Sequence, residues 1–373
     1  MSSSTDYTTA SSLPPLSATP VPAAPHTTYY IAASSSGKGR RFRSENVFNF
    51  WPRNDALGVQ RGNSQSEKRK NRPDSGQDAF FAASVGPDGR ATAFGIADGV
   101  GSWVDHGVDP ADFSHGMCDY MAQTAMGWSG GRLEPQILLD IGYRRTLEDP
   151  EILGGGTTAC IGVAEDDGKM HIANLGDSGF LQLRLGAVHH YSNPQTHAFN
   201  TPYQMSITPP EILRQTQTFG GVPINDPAEM ADIAYHMLHH GDVLVLATDG
   251  VWDNLNSQDV LAVVTTEMRR FGAWVKSAKD GFIVTDKLAT LTQPEGLGLL
   301  HPQHTLQGAV AVAIAREAKI QSLNHRRDGP FAREVQKYEP SAMYHGGKID
   351  DISVMVVIPV EENKISGNMK ARL

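Results

Sequence analysis

The sequence predicts an α+β fold in which antiparallel strands pack as a sandwich. Short apolar runs separated by Gly, Pro and Asp recur after about Phe48, and their lengths are typical of strands. Several runs adjoin through short turns such as Glu165–Lys169, which favours antiparallel pairing. A long pair of helical patterns interrupts the strands. We therefore expect an α+β sandwich rather than a doubly wound parallel sheet.

The individual elements follow from the period of the apolar residues. Six apolar or β-branched runs bounded by turn formers are interpreted as strands: Thr92–Ala97, Thr157–Ala164, Met170–Asn174, Phe180–Leu185, Val243–Ala247 and Ile352–Val360. Four stretches with helical spacing are interpreted as helices: Pro110–Met126, Glu134–Leu147, Ser257–Arg270 and Thr305–Leu323.

Composition excludes several classes of protein. The chain has 373 residues, 40% of them hydrophobic, which is enough to form one sizeable core or two small ones. No run approaches the roughly 20 apolar residues of a membrane-spanning helix, so we expect no integral membrane segment. A net charge of −9 argues against a nucleic-acid partner. The two cysteines, Cys118 and Cys160, have no zinc-like spacing, which fits a reducing compartment, and we expect a monomer.

The chain is predicted to begin with a tail. Residues 1–36 are dominated by Ser, Thr, Ala and Pro, a composition that cannot repay the entropy of ordering. Lys38, Arg40, Arg41 and Arg43 then add a basic cluster, so residues 1–47 are interpreted as a disordered or targeting tail. We expect one domain at residues 48–362 and a C-terminal tail at 363–373. An insertion at about 271–303 would be a flap over the site, a partner-docking element or a surface excursion without a role.

Acidic residues fall at the ends of the predicted strands. Asp98 and Asp249 each close an apolar run in an Asp-Gly step, Asp177 follows a third run, and Asp350 precedes the last strand. A single Asp-Gly step is usually just a turn. Four acidic strand ends could instead converge on one edge of the core, where their mutual repulsion would require cations. Mg²⁺ and Mn²⁺ prefer such oxygen ligands, and two such ions can prepare water to attack a phosphoryl group.

Six short motifs resemble those of the PP2C (PPM) family of metal-dependent protein serine/threonine phosphatases and occur in the same order. Val100 in an Asp-Gly-Val-Gly step and the run Phe199–Gln204 resemble in particular the mitochondrial PPTC7/Ptc7 branch of that family. The motifs, which cover most of the chain from about Gly76 to Val360, are Gly76–Ala79, Gly95–Trp103, Gly156–Thr158, Ala173–Gly179, Ala247–Asn254 and Gly346–Val354.

The resemblance implies an αββα sandwich of two antiparallel sheets flanked by helices, with a channel between the sheets that holds two Mn²⁺ or Mg²⁺ ions and a weakly held third. It implies that Asp98 bridges the two ions, with the Gly99 carbonyl on one and Asp249 and Asp350 on the other. The complete implied metal set is Asp78, Asp98, Gly99, Asp177, Asp249, Asp253 and Asp350, of which Asp78 would hold metal-bound water and Asp177 and Asp253 would contact the third ion.

Three positions depart from the family pattern. Gln77 replaces an acid, which would weaken binding of one ion, and Val100 replaces a histidine credited with protonating the leaving oxygen. His106 is one candidate for that task, although a lone loop histidine is more often just solvated. Arg72 lies near, but offset from, the place of the family's phosphate-binding arginine.

The implied reaction is hydrolysis of phosphoserine or phosphothreonine in phosphoprotein substrates by direct attack of a metal-bridging hydroxide. The catalytic residues would be Asp78, Asp98, Asp249 and Asp350. An alternative is a pseudophosphatase that keeps the fold as a binding module. A serine protease is a weaker alternative, because Gly176–Gly179 resembles a nucleophile segment but no partner histidine motif is identifiable. The resemblance favours the mitochondrial matrix over the cytoplasm.

Overall fold

The computed structural model describes residues 26–51, 56–58, 62, 64–279, 281–293 and 305–362. Its strands are β1 Thr27–Ser36, β2 Val47–Phe50, β3 Asp78–Val85, β4 Ala91–Asp98, β5 Gly155–Thr157, β6 Ala159–Glu165, β7 Lys169–Leu175, β8 Gly179–Arg184, β9 Ala187–Tyr191, β10 Thr196–Ala198, β11 Thr201–Pro202, β12 Met205–Ile207, β13 Asp232–Met237, β14 Val243–Ala247, β15 Trp274–Ser277, β16 Gly281–Val284 and β17 Ile352–Glu361.

The α-helices are α1 Gln65–Lys70, α2 Pro110–Met126, α3 Pro135–Glu148, α4 Pro210–Thr218, α5 Asp249–Trp252, α6 Ser257–Arg270, α7 Leu288–Thr292, α8 Leu306–Ser322 and α9 Pro330–Tyr338. Local signals fix several of their ends. The Asp109 carboxylate accepts a hydrogen bond from the Ala111 backbone N–H, and Pro110 occupies the first helical position of α2. Asn256 and Asp259 form a capping box at the start of α6.

Two antiparallel sheets form the centre of the molecule. One has six strands in the order β2-β1-β17-β14-β8-β9, and the other has five in the order β13-β7-β6-β4-β3. Their inner faces share a core that includes Phe50, Phe94, Ile96, Leu244 and Met355. The two sheets therefore pack face to face around an apolar interior.

Helices cover the outer face of each sheet. Val264 of α6 and Ile314 of α8 belong to the apolar cluster on the six-stranded sheet. Phe113 and Met117 of α2, together with Leu138 of α3, belong to the cluster on the five-stranded sheet. The resulting layers are helix, sheet, sheet, helix, which confirms the predicted α+β sandwich.

The predicted elements are found with small differences at their ends. Pro110–Met126, Ser257–Arg270 and Val243–Ala247 have the bounds that the sequence indicated. The predicted strand Thr157–Ala164 is divided into β5 and β6 at Thr158, whose backbone N–H donates to the Asp98 carbonyl at 3.0 Å. This bond ties the break in the strand to the end of β4.

The N-terminal tail prediction is wrong for residues 27–47. Thr27–Ser36 forms β1, which pairs along its length with Ile352–Glu361 and also with β2. The run is rich in Ser, Thr and Ala, so its composition resembles a disordered segment, but ten ladder positions on a distant strand stabilise it. Residues 1–25 and the predicted C-terminal tail at 363–373 lie outside the described residues.

The predicted insertion contains its own elements. β15 and β16 form a hairpin, and the Trp274 indole N–H donates to the Gly241 carbonyl at 3.0 Å, before β14 begins. Leu288 of α7 joins the apolar cluster beneath α8. The described part of the insertion thus packs at the end of β14 opposite Asp249, and residues 294–304 lie outside the described range.

Within the described residues, none of the helices is both long enough and apolar enough to cross a membrane.

Candidate metal centre

Acidic residues from both sheets meet at one end of the sandwich. Asp78 begins β3 and Asp98 ends β4, and the antiparallel register places them directly opposite each other. Asp249 follows β14 and Asp350 precedes β17, which are also antiparallel neighbours. Because adjacent antiparallel strands begin and end at the same edge, each sheet contributes two carboxylates to this end.

Thr248 links the two sheets at the base of this cluster. Its hydroxyl donates to Asp78 Oδ2 at 2.8 Å and accepts from the Ser353 backbone N–H at 3.1 Å. Asp78 is fully buried, and its other oxygen, Oδ1, has no hydrogen-bond partner among the described residues. A buried carboxylate oxygen without a partner is costly and indicates that a further group binds there.

One lysine partly neutralises the cluster. Lys348 Nζ lies 2.6 Å from Asp249 Oδ2, 2.6 Å from Asp253 Oδ2 and 3.2 Å from Asp350 Oδ2. Lys38, whose side chain is largely exposed, also contacts Asp350 at 3.1 Å. Sequence reasoning missed Lys348, although the motif Gly346–Val354 contains it, because only folding brings its ammonium to Asp249 and Asp253.

The pKa values show that negative charge is in excess. Burial, followed by repulsion from Asp351, raises the pKa of Asp78 well above its ordinary value. Burial and then repulsion from Asp78 do the same for the pKa of Asp98. Burial alone would raise the pKa of Asp249, but the neighbouring Lys348 ammonium brings it below its ordinary value.

The two remaining predicted acids lie beside Asp249. Burial and then repulsion from Asp249 raise the pKa of Asp253 well above its ordinary value. The same two causes raise the pKa of Asp177 to about 7. Asp177 lies in the connection from β7 to β8, where the chain passes from one sheet to the other.

The donor set fits hard divalent cations. Carboxylate oxygens are the ligands that Mg²⁺ and Mn²⁺ prefer, and the carboxylates outnumber the cations that contact them. In the described part of the chain, no three His, Cys, Asp or Glu side chains already converge as a complete ligand set, and the Lys348 ammonium lies among three of the acids. The acids brought together are Asp78, Asp98, Asp177, Asp249, Asp253 and Asp350.

Asp351, which was not predicted as a site residue, holds the loop before β3. Its carboxylate accepts from the Gln77 backbone N–H at 2.9 Å and from the Lys38 backbone N–H. A Cβ on Gly76 would lie 1.9 Å from Asp351 Oδ1, and Gly76 has a φ of 69°. Glycine is therefore required at position 76, and the Asp351 contact fixes the backbone that leads to Asp78.

The departures from the family pattern lie near the cluster. The Gln77 carbonyl accepts from the Gly99 N–H at 3.1 Å and from the Ser114 hydroxyl at 2.6 Å. These bonds hold the Gln77 backbone beside Gly99. Val100 caps a 3₁₀ helix at Gly101–His106. His106 is exposed at the end of that helix, with its ring 6.1 Å from that of Trp103.

Arg72 pairs with acids that do not belong to the cluster. Its guanidinium pairs with Asp112 and lies 3.2 Å from Asp109 Oδ2, and its side chain is largely buried. Ser178 is buried as well, with its hydroxyl 2.8 Å from that of Thr158. That environment does not suit an exposed nucleophile, which argues against the serine protease alternative.

Comparison with known proteins shows the family. The sequence profile described as Protein phosphatase 2C matches residues 65–290. The Protein phosphatase PTC7 homolog of Xenopus laevis is 38% identical over 287 residues, which are 77% of this chain and 82% of that protein. Protein phosphatase 2C homolog 7, mitochondrial, from Saccharomyces cerevisiae is 29% identical over 298 residues, which are 79% of this chain and 77% of that protein.

A solved structure shares the fold. The photosystem II phosphatase PBCP superposes with a TM-score of 0.54 at 24% identity, and the match covers 76% of this chain and 91% of that one.

The chain belongs to the protein phosphatase 2C family and is a serine/threonine protein phosphatase. Within the family it is a member of the PTC7 branch, which confirms the resemblance noted in Val100 and Phe199–Gln204.

Proposed function

We propose that this chain removes phosphate from phosphoserine and phosphothreonine in proteins by direct, metal-dependent hydrolysis. The proposal rests on the partly buried cluster of acids contributed by both sheets. Lys348 is its main neutralising group, and Asp78 Oδ1 has no partner in the part of the chain that the structure describes. Such a cluster is costly unless it binds cations. An attacking water would form the new P–O bond while the serine or threonine oxygen leaves and takes up a proton.

Two Mn²⁺ or Mg²⁺ ions, with a weaker third, would supply Lewis acidity that lowers the pKa of water and neutralises charge on the phosphoryl group. Asp98, the Gly99 carbonyl, Asp249 and Asp350 would hold the two main ions, since they come from both sheets at the same end. Asp177 and Asp253 would hold the third.

The protein's own groups would prepare the reaction as follows. Thr248 fixes one oxygen of Asp78 and leaves Oδ1 available to accept a proton from an attacking water. Thr157 donates to the Asp98 carbonyl at 2.8 Å and so holds the end of β4 in place. Cys118 and Cys160 are fully buried with raised pKa values, which does not suit a covalent thiol mechanism.

A single assay tests the proposed activity and the pseudophosphatase alternative that Gln77 and Val100 raised from the sequence. Purified protein should hydrolyse p-nitrophenyl phosphate and a phosphothreonine peptide in Mn²⁺ and lose both activities in EDTA. Recovery of turnover when Mn²⁺ is restored in excess would support the enzyme. A folded protein that binds the phosphopeptide but shows no turnover in Mn²⁺ or Mg²⁺ would establish the binding module instead.

The mitochondrial matrix is the compartment we propose, because the yeast relative is named mitochondrial. The cytoplasm is the alternative. Imaging of a fluorescent fusion with and without residues 1–25, which precede β1, tests this assignment. Mitochondrial signal that depends on those residues would support it.

A further inference from the structure

A cavity of about 740 Å³ adjoins the acid cluster. Asp177 and Asp253 belong both to the cluster and to the lining of this cavity, so the two are continuous. The cavity lies between the Thr196–Asn200 segment and helix α9, and it extends along Trp252 of α5. A phosphopeptide bound at the acids would therefore have this cavity within reach of its neighbouring residues.

Aromatic rings form one wall of the cavity. The Phe199 ring lies 5.5 Å from that of Phe331 and 5.4 Å from that of Tyr338, measured between ring centroids. Asn200, beside Phe199, adopts a φ of 53°, a conformation that asparagine tolerates. Tyr338 remains 66% exposed, so its ring is available to a partner.

The lining of the cavity carries several acidic side chains. Its lining includes the carboxylates of Asp177, Asp253 and Glu334, and among the described lining residues none is Lys or Arg. His197 also lines it and is bonded to Asp226 at 2.9 Å. Aromatic faces and carboxylates both attract cations, because the face of an aromatic ring carries negative charge density.

The same wall already receives one cation. Lys348 Nζ lies 4.9 Å from the centre of the Phe331 ring while it contacts Asp253. Glu334 pairs with Lys337, but the Lys337 side chain is 68% exposed, and exposed pairs of this kind contribute little to stability. A substrate cation could displace Lys337 from Glu334 at small cost.

We propose that this cavity is a substrate subsite that binds an arginine or lysine side chain of the phosphoprotein, close in sequence to the phosphorylated residue. The basic head group lies against Phe199 and Tyr338 and pairs with Glu334, while the phosphate lies at the acid cluster. Because the cavity directly adjoins Asp177 and Asp253, we expect the basic residue within about three positions of the phosphorylated one, a span of about 10 Å in extended chain. This inference rests on the proposed phosphatase activity.

The test uses phosphothreonine peptides with one arginine moved from three residues before to three residues after the phosphothreonine. Citrulline replaces arginine in a matched set, because it keeps the shape and removes the charge. At one or two positions we expect arginine to lower KM about fivefold relative to citrulline, with kcat unchanged. Equal KM values for arginine and citrulline at every position, or a preference for leucine, would overturn the subsite.

Variants then locate the effect. Glu334→Gln and Tyr338→Ala should each remove most of the arginine advantage, whereas Tyr235→Ala should keep it, because Tyr235 is equally exposed but lies on β13. All three should hydrolyse p-nitrophenyl phosphate like the wild type. If the wild-type protein does not hydrolyse p-nitrophenyl phosphate, the proposed function is contradicted. If it hydrolyses p-nitrophenyl phosphate but shows no preference for arginine in the peptides, only the subsite is contradicted.

Discussion

Along β4, Phe94 and Ile96 are fully buried between the two sheets, whereas Asp98, two residues further, lies among other carboxylates. The interior of the sandwich lowers the free energy of the fold by removing apolar surface from water. The acid end raises it, because carboxylates that repel one another are held together. The apolar interior therefore supplies the stability needed to keep the acid cluster in place.

The largest effect should come from the interior. Phe94→Ala should lower the free energy of unfolding by about 3–5 kcal/mol, because it leaves a cavity between the sheets. Chemical denaturation measures the loss, with Tyr235→Ala as an exposed aromatic control. Variant protein that remains folded at low temperature should still hydrolyse substrate. A stability loss no greater than that of the control would contradict the role of this core.

At the acid end, Asp98→Asn should reduce kcat more than about 100-fold, because it removes a charge that binds the metal ions while keeping the volume. Without metal, the same change should leave the melting temperature unchanged or raise it, since one repulsive charge is gone. Phosphopeptide kinetics in saturating Mn²⁺ and thermal denaturation in EDTA measure the two effects. Wild-type turnover by this variant would exclude Asp98 from the site.

His115 of α2, whose side chain is bonded to the Asp78 backbone beside the acid end, gives the fold a pH dependence. Burial, followed by repulsion from Arg72, lowers its pKa to about 3, and Nε2 lies buried without a partner among the described residues. Because the unfolded chain binds this proton below about pH 6.5 and the folded chain does not, stability falls as pH drops from 6.5 toward 3. The slope is about 1.4 kcal/mol per pH unit.

The measurement is the free energy of unfolding between pH 6.5 and 5, where His115→Gln should lack about 1.6 kcal/mol of the wild-type loss. Asp78 and Asp98 act in the opposite direction, since their raised pKa values stabilise the fold at low pH. They are present in both proteins, so the difference between wild type and variant isolates His115. If the free energy of unfolding of the wild type and of the variant changed with pH in parallel, His115 would not contribute to the pH dependence.

The smallest effect should come from Lys348, whose ammonium is the positive charge that the chain itself supplies to the acid cluster. Lys348→Gln removes the ammonium from Asp249, Asp253 and Asp350, so Mn²⁺ should stabilise the variant more than it stabilises the wild type. We expect an additional rise in Tm of about 2 °C between EDTA and saturating Mn²⁺. Lys38→Gln, which removes an exposed contact to Asp350, is the control. Equal Mn²⁺ shifts in all three proteins would contradict this role of Lys348.

Much of the fold could be predicted because its signals are local. The start of α2 depends on Asp109 and Pro110, and the start of α6 on Asn256 and its capping box. The apolar run Val243–Ala247 is a buried strand in the middle of its sheet. Neighbouring residues are enough to specify each of these elements.

Other features could not be predicted, because their causes lie far away in the chain. β1 has a polar composition, and its partner strand, β17, lies near the other end of the sequence. The order of strands in each sheet likewise depends on contacts that no local pattern contains.

Residue type and short spacing were enough to indicate the long helices, several buried strands, the family and the acids at strand ends. Folding places Asp78 opposite Asp98 across a strand pair, Lys348 against Asp249 and an aromatic cavity beside them. These contacts could not be inferred from the sequence, because charges interact according to their distance in space, and the pairing of strands far apart in the chain sets that distance.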